Sequence, residues 1–568
     1  MPLSPSPRWH IAPPPPPEAE EALHRFPPVL RTLLYNRGHT TYTTARAFLE
    51  AAPPPGSEDP FAMRGMEAAV ERLSHAIRHN EPIAVYGDYD VDGVTATALL
   101  VEALQALGAQ VQPYIPNRFD EGYGLNNEAL SALHDAGVRV VVTVDCGIRS
   151  LDEVAHARGL GMDLIVTDHH VPGGELPLAT AVINPKQPGD AYPEKDLAGV
   201  GLAYKLAQAL VRRLRPQAAE AVQKHLDLVA LGTVADLAPL VSENRHLVRS
   251  GLHRLRQAQR QGIYSLIRVA GLQPQRLTAA HIGFMLGPRL NAAGRLESAL
   301  AALNLLLARS PAEAGPLALQ LDRQNRERQR LTKEVEQAAE RLALGEGDEV
   351  PWLLFAAHPG FNPGVVGLAA SRLVERYYRP AIVAQQGPEF TRGSCRSIPE
   401  FHITQALEQC ADLLTHYGGH AAAAGFTVLN EHLPEFVARM QAIAAEQLGA
   451  LDLRPTLKAD AEVRLSDLTP ELLSHLRWLE PTGFGNPRPR FVVRGARVLS
   501  ARAVGSDGNH LKLILSDGTT RHEAIAFRQG HWLDHLPPEV DILFTFEWNE
   551  YNGRRTPQLN IKDIRPSE

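Results

Sequence analysis

From about residue 80 the chain alternates two hydrophobic patterns. Short apolar runs such as "PIAVYGDYD", "AQVQPYIP", "VRVVVTVDCG" and "MDLIVTDHH" read as strands. Between them, "GVTATALLVEALQALG", "NNEALSALHDAG" and "SLDEVAHARGLG" carry apolar residues at helical spacing. Strands alternating with helices predict a parallel sheet covered by helices. Between Leu317 and Leu344 there is neither proline nor glycine, and the charge density predicts a long solvated helix. A second α/β region runs from "PWLLFAAHPG" to about residue 450. After "LRPTLKADAEVRL" come short alternating strands with turn signals, the pattern of a small β-barrel.

The expected fold class is therefore α/β: two α/β domains joined by a long helix, then a C-terminal barrel. The expected boundaries are a proline-rich extension over 1–60, a first domain over 61–305, the connecting helix over 306–345, a second domain over 346–450 and the barrel over 455–568. The opening "MPLSPSPRWHIAPPPPPEAEE" has no apolar signal core and reads as a disordered or polyproline lead-in.

The polar residues interrupting this pattern carry the chemistry. "DYDVDG" places Asp88, Asp90 and Asp92 at every second position directly after an apolar run. If that run continued as a strand, all three side chains would share one side. Two carboxylates about 4 Å apart repel by about 4 kcal/mol at an effective dielectric near 20, so such a cluster needs a cation or protons. Asp145 in "VTVDCG", Asp168 with His169 and His170 in "TDHH", and Asp236 in "LGTVADLAPL" are placed at further strand ends, the edge where open α/β sheets bind ligands. A single DxD is more often a turn or helix cap, and a lone HH a surface pair. Four such groups on one predicted edge instead favour a centre for two hard cations, Mn²⁺ or Mg²⁺, of the kind that cleaves phosphoesters.

Composition narrows the setting. With a net charge of −7 and 21% charged residues, the chain is not globally basic, so nucleic-acid contact must come from local patches. Cys146, Cys395 and Cys410 form no CxxC pair, which argues against a zinc knuckle or disulfide framework and fits a reducing cytoplasm. No apolar stretch is long enough to span a membrane.

"YGDYDVDG", "DCGI", "TDHH", "LGTVADLAPL", "GPRLNAAGRLE", "GSCRS" and "YGGHAAAAG" together resemble the DHH phosphoesterase superfamily, and within it the bacterial RecJ family of single-strand-specific DNA exonucleases. The resemblance covers roughly residues 60 to 568. It implies a DHH catalytic domain, a DHH-associated domain and an OB-fold barrel. It also implies a two-metal phosphodiesterase releasing nucleotides from the 5′ end of single-stranded DNA in recombination and repair. A single-strand-binding protein and a helicase are the expected protein partners. By this resemblance Asp90 and Asp92 each hold one metal, Asp145 bridges, His169 and Asp236 complete the second site, and His170 contacts the reacting phosphate. Smaller relatives have a histidine where this chain has Tyr86, so Asp88 is expected to complete the first site. Phe361 stands near a position where the family leads one to expect tryptophan, which points to an altered stacking surface.

Arg118, Arg289 with Asn291, and Ser394, Arg396 and Ser397 in "GSCRS" are candidates for binding substrate phosphates, guanidinium geometry being suited to that task. His420 follows two glycines that let backbone approach a ligand. Surface arginines and glycine turns are common, so these assignments lean on the resemblance. Cys395 is expected to pack rather than act as a nucleophile. In the barrel, Arg488, Arg490, Arg494 and Arg497 with Trp548 and Tyr551 form the basic and aromatic pattern of a single-strand platform. The competing catalytic reading is a DHH phosphodiesterase for short oligonucleotides or cyclic dinucleotides, which has no need of the barrel. A silent structural relative is disfavoured because every expected ligand position is intact.

Overall fold

The computed structural model describes residues 6–117, 121–122, 124–345, 349–505, 507–551 and 553–567. They fall into two compact units, one formed by 11–322 with 458–568 and the other mainly by 323–457.

In the first unit, five parallel strands form the catalytic sheet: β1 (Ile83–Gly87), β2 (Val111–Tyr114), β3 (Val140–Val144), β4 (Asp163–Thr167) and β5 (Ala181–Ile183). Their order is β2-β1-β3-β4-β5, so the chain reverses direction across the sheet between β1 and β3. Ligands of open α/β sheets bind at such a switch point, beyond the carboxyl ends of the strands. β1 and β3 are buried along their whole length, which is why they read as unbroken apolar runs. The helix Val91–Leu107 is buried on nearly every side, against Gly199–Leu214 and Leu226–Ala235.

The polyproline stretch at 12–16 is irregular, but the segment beyond it is folded and is not a disordered lead-in. Helices form at Pro17–Ala22, Pro28–Tyr35 and Tyr42–Glu50. The prolines that seemed to break helices occupy first-turn positions, where the missing N–H costs nothing. Leu30, Leu33 and Leu34 then share one face and join Phe491 and Phe544 of the barrel in a single core.

The second unit holds a five-stranded sheet, β6 (Leu354–His358), β7 (Ala381–Gln386), β8 (Phe390–Arg396), β9 (Leu414–His420) and β10 (Ala423–Leu429), in the order β9-β10-β8-β7-β6. Only β6 and β7 are parallel. The helix Pro311–Leu344 carries the chain from the first unit into the second. Phe361 is 4% exposed in the core of this unit, so it packs and offers no stacking surface.

The C-terminal strands are β11 (Ala461–Glu462), β12 (Phe491–Val504), β13 (His510–Ser516), β14 (Arg521–Ala526), β15 (Glu539–Tyr551) and β16 (Arg554–Pro566). β12, β13, β14, β16 and β15 pair in that order, and β15 returns to pair with β12. That closure makes a five-stranded OB-like barrel. Among the described residues no helix is long and apolar enough to cross a membrane.

Candidate active site

Strand β1 stops at Gly87, so the three acids of "DYDVDG" do not alternate along a strand. They converge through a turn. Asp88 follows the strand, Asp90 is the N-cap of the helix Val91–Leu107, and Asp92 lies in its first turn. The Asp90 carboxylate accepts the N–H groups of Asp92 at 2.8 Å and Gly93 at 3.1 Å, as an N-cap aspartate should. Asp92 is held from the other side, its two oxygens accepting Gly199 N–H at 2.6 Å and Val200 N–H at 2.9 Å. Those donors open the helix Gly199–Leu214, whose positive end favours a carboxylate.

Asp145 ends β3 with φ +65°, in the left-handed region that a non-glycine residue seldom occupies. Strain of this kind concentrates at functional sites. It packs so closely on Gly199 that a Cβ there would lie 2.7 Å from the Asp145 side chain. Gly232 is confined in the same way, since its Cβ would meet Asp92 Oδ1 at 2.7 Å. Both glycines are required by space rather than by φ.

His169 presents Nε2 to this pocket, 3.0 Å from Asp145, 3.8 Å from Asp236 and 3.9 Å from Asp92. His170 also borders the pocket and is held from behind by Asp168. Its Nδ1 is 2.7 Å from Asp168, whose second oxygen accepts the Ile148 N–H at 3.0 Å. Asp236 does not end a strand. It is the C-cap of the helix Leu226–Ala235, whose continuous apolar run cannot be told from a buried strand by periodicity.

The donor atoms form three overlapping groups, each within 4.8 Å: Asp88, Asp90 and Asp145; Asp92, His169 and Asp236; and Asp145, His169 and His170. Burial and mutual repulsion push the Asp92 and Asp145 carboxyls well above the usual range, and burial with the Asp90 charge brings Asp236 up to about 7. Burial lowers His169 to about 3, keeping it neutral as a metal ligand must be. Burial opposes the charging of His170, but Asp168, Asp236 and Asp88 outweigh it and raise its pKa. Mutually destabilised oxygens around a neutral imidazole fit hard divalent cations, and Asp145, common to two groups, is placed to be shared.

The other predicted residues divide. Asn291 belongs to the site, since its Oδ1 accepts the Val91 N–H at 3.1 Å and so fixes the DxD turn. It lines a recess of about 210 Å³ with Asp90, Asp236 and Arg295. Arg289 instead donates to Asp322 at 3.0 Å and to the Met285 carbonyl at 2.8 Å. Arg118 lies outside the described residues. In the second unit, Ser394 and Arg396 flank the start of the helix Val366–Tyr377. A Cβ on Gly367 would lie 3.0 Å from Arg396 Nη2 and 3.4 Å from Ser394 Oγ. A hydroxyl and a guanidinium thus stand together at a helix N-terminus, and the guanidinium also donates to the Cys395 carbonyl at 2.8 Å. Ser397 donates its hydroxyl to the Phe401 carbonyl at 2.6 Å, bracing the turn after β8. His420 is exposed at the end of the edge strand β9. Cys395 is buried, and burial pushes its thiol up to about 12, so it packs and is no nucleophile.

Two contributors, Lys186 and Arg295, were not singled out from sequence, and Asp168, grouped there with the two histidines, has a role of its own. Asp168 orients His170, Lys186 acts electrostatically on His169 and Asp236, and Arg295 lines the recess. In the barrel, Arg494 is paired with Glu462 at 3.1 Å and Asp541 at 3.0 Å, and Arg497 lies 3.7 Å from Glu539. Arg488, Arg490 and Lys562 form a basic cluster, although Arg488 is itself paired with Glu547 at 3.3 Å.

Residues 82–233 match the DHH family N-terminal domain, 349–446 the DHHA1 domain and 459–563 the RecJ OB domain. The chain is 40% identical to the single-stranded-DNA-specific exonuclease RecJ of Bacillus subtilis (strain 168), over 99% of this chain and 71% of that protein. Crystal structures of RecJ from Thermus thermophilus are similar. The complex with Mn²⁺ aligns at TM-score 0.84 and 34% identity over 99% of this chain and 80% of that one. The complex with Mg²⁺ aligns at TM-score 0.79 and 33% identity over 99% and 79%. Acids gathered at the switch point, the barrel and this near full-length similarity agree: the chain belongs to the RecJ family of DHH phosphoesterases.

Proposed function

We propose that this protein is a metal-dependent exonuclease that degrades single-stranded DNA from the 5′ end, in recombination and repair. The convergence of Asp88, Asp90, Asp92, Asp145, His169 and Asp236 on the switch-point edge carries the reading. Asp88, Asp90 and Asp145 would hold one cation and Asp92, His169 and Asp236 the other, with Asp145 shared. Two divalent cations, Mn²⁺ or Mg²⁺, supply a hydroxide near neutral pH and neutralise charge on the leaving oxygen. The protein's own groups do the rest. Gly199 and Val200 fix the Asp92 carboxylate, Asn291 fixes the turn, and His170, oriented by Asp168, which also raises its pKa, would donate to the phosphate.

Polarity follows from an end pocket. Ser394 and Arg396 at the start of the helix Val366–Tyr377 are suited to a terminal phosphate, with Ser397 in the turn after β8 and His420 at the end of β9 as further candidates. Arg295, which lines the recess with Asp90 and Asp236, is suited to a phosphate beside the acids. The barrel, with Arg488, Arg490 and Lys562, supports long single strands over short oligonucleotides or cyclic dinucleotides as substrate. Three buried cysteines without a disulfide support a cytoplasmic setting, where a single-strand-binding protein and a helicase would supply the strand. The test is to incubate the protein with 5′-labelled and 3′-labelled single strands and Mn²⁺, Mg²⁺ or EDTA. Release of labelled mononucleotide at once from the 5′-labelled strand, only late from the other, and not in EDTA is expected. Prompt release from the 3′ label would reverse the polarity.

A further inference from the structure

The helix Gly199–Leu214 serves two places. Its first turn holds Asp92, while Tyr204, Lys205, Gln208 and Arg212 further along it line a cavity of about 920 Å³. At a rise of 1.5 Å per residue, Gln208 and Arg212 stand about 13–20 Å along the axis from Gly199, so this cavity is separate from the acids. The facing wall is the helix Ser242–Gln257, with His246, Arg249 and Arg254, and a third side is the segment 50–58.

The charges in this cavity do not cancel. Glu243 is neutralised by Lys205, both buried, and Lys205 also donates to the Ser57 carbonyl at 2.7 Å. Glu50 is paired with Arg46 at 2.7 Å, while Glu58 accepts the Gly56 N–H at 2.9 Å and keeps its charge, so one carboxylate stands against three arginines. The arginines are matched less closely. Arg212 donates to the Glu58 carbonyl at 2.6 Å, with its nearest carboxylate, Asp59, 3.9 Å away. Arg249 donates only to the Leu49 carbonyl, at 2.5 Å, and Arg254 has no hydrogen bond or ion pair, among the described residues. Arg212 and Arg254, from the two facing helices, both line the cavity, and the charges of both act on the Tyr204 hydroxyl. Two lining groups are also unsatisfied: Ser57 Oγ, in a residue 1% exposed, and Gln208 Oε1. A buried polar atom without a partner calls for a ligand or water. Leu226 and Leu247 add an apolar edge.

We propose that this cavity is a second ligand site, for a nucleoside monophosphate, distinct from the nuclease centre. Its volume suits a small-molecule site, and unpaired guanidinium groups are the natural partners of a phosphate. The phosphate faces Arg212, Arg249 and Arg254. Gln208 Oε1 can only accept, so it takes a donor of the base or sugar, and Ser57 Oγ serves either way.

The test is titration calorimetry of the full chain with deoxyadenosine 5′-monophosphate in EDTA. Saturable binding at one site is expected, unchanged in Asp145→Ala. Arg249→Gln and Arg254→Gln, made separately, should each weaken it at least tenfold while cleaving single-stranded DNA at the wild-type rate. Inorganic phosphate and deoxyadenosine alone should bind at least tenfold more weakly than the nucleotide. Absence of saturable binding, loss of binding in Asp145→Ala, unchanged affinity in both arginine variants, or phosphate binding as tightly as the nucleotide would overturn the proposal.

Discussion

Arg245 is among the largest fully buried side chains, 1% exposed, and it has no carboxylate partner among the described residues. Its guanidinium donates instead to five backbone carbonyls: Phe48 at 2.9 Å, Leu479 at 2.9 Å, Pro481 at 3.0 Å, Trp478 at 3.1 Å and Glu480 at 3.0 Å. It also lies 4.1 Å over the Phe48 ring. One residue of the helix Ser242–Gln257 thus ties the N-terminal helices and the segment leading into the barrel to the catalytic domain. Five hydrogen bonds to a charged donor would be worth about 7–15 kcal/mol if simply summed. Burial works against them, bringing the guanidinium pKa down to about 10, a cost of about 3 kcal/mol at 1.36 kcal/mol per unit. Removing the group also strands carbonyls that water reaches only in part, so Arg245→Met should destabilise this junction by about 3–5 kcal/mol. Amide hydrogen exchange at residues 478–486 should accelerate by at least a hundredfold, since 1.4 kcal/mol is a factor of ten. Cleavage of short oligonucleotides should persist while affinity for long strands falls. Arg245→Lys should not rescue, because an ammonium has three donors and no planar fork. Exchange rates in Arg245→Met within threefold of wild type would refute the reasoning.

Three further outcomes concern separate parts of the molecule. Arg396→Ala should slow attack on 5′-phosphorylated strands by roughly ten- to a hundredfold, the loss of a charge-assisted pair of about 1.5–3 kcal/mol, with a much smaller change on 5′-hydroxyl strands; equal loss on both ends would move Arg396 out of the end pocket. Reversing Arg488, Arg490 and Lys562 to glutamate should weaken binding to long strands and flatten its dependence on salt, as fewer counterions are released; an unchanged salt slope would place the platform elsewhere. Glu102 is held down to about 2: burial opposes its charge, but His225 and Arg260 outweigh it. A depressed carboxylate stabilises fully above its ordinary pKa of 4.5 and loses that stabilisation as pH falls toward 2, so it contributes about 3 kcal/mol at neutral pH. Glu102→Gln should therefore lower stability at pH 7 and narrow its gap from wild type between pH 4.5 and pH 2, read by denaturant unfolding; a gap constant with pH would contradict this.

The catalytic sheet was legible because β1, β3 and β4 are buried on both faces and read as apolar runs ending in acids. Periodicity could not show that Asp90 caps a helix, that Asp236 ends one, or that prolines at 16–17 and 27–28 start helices instead of breaking the chain. Those distinctions depend on hydrogen bonds over one turn, which apolar spacing does not record. Arg289 and Arg295 share a motif and look equivalent in sequence; in the fold Arg289 is braced by Asp322, while Arg295 lines the recess. Arg494 and Arg497 looked like a DNA-binding stripe because the acids that pair with them, Glu462, Asp541 and Glu539, come from other strands. Asp168 was legible as part of "TDHH", but its task of orienting His170 rests on a hydrogen bond that the sequence does not record.

Asp145 links the two halves of the proposed metal centre, so counting ions tests the account most directly. Equilibrium dialysis against Mn²⁺ should find two ions per wild-type chain and at most one in folded Asp145→Ala, with no hydrolysis of single-stranded DNA by the variant, because a shared carboxylate holds both positions. Two bound ions and full-rate hydrolysis in Asp145→Ala would contradict it.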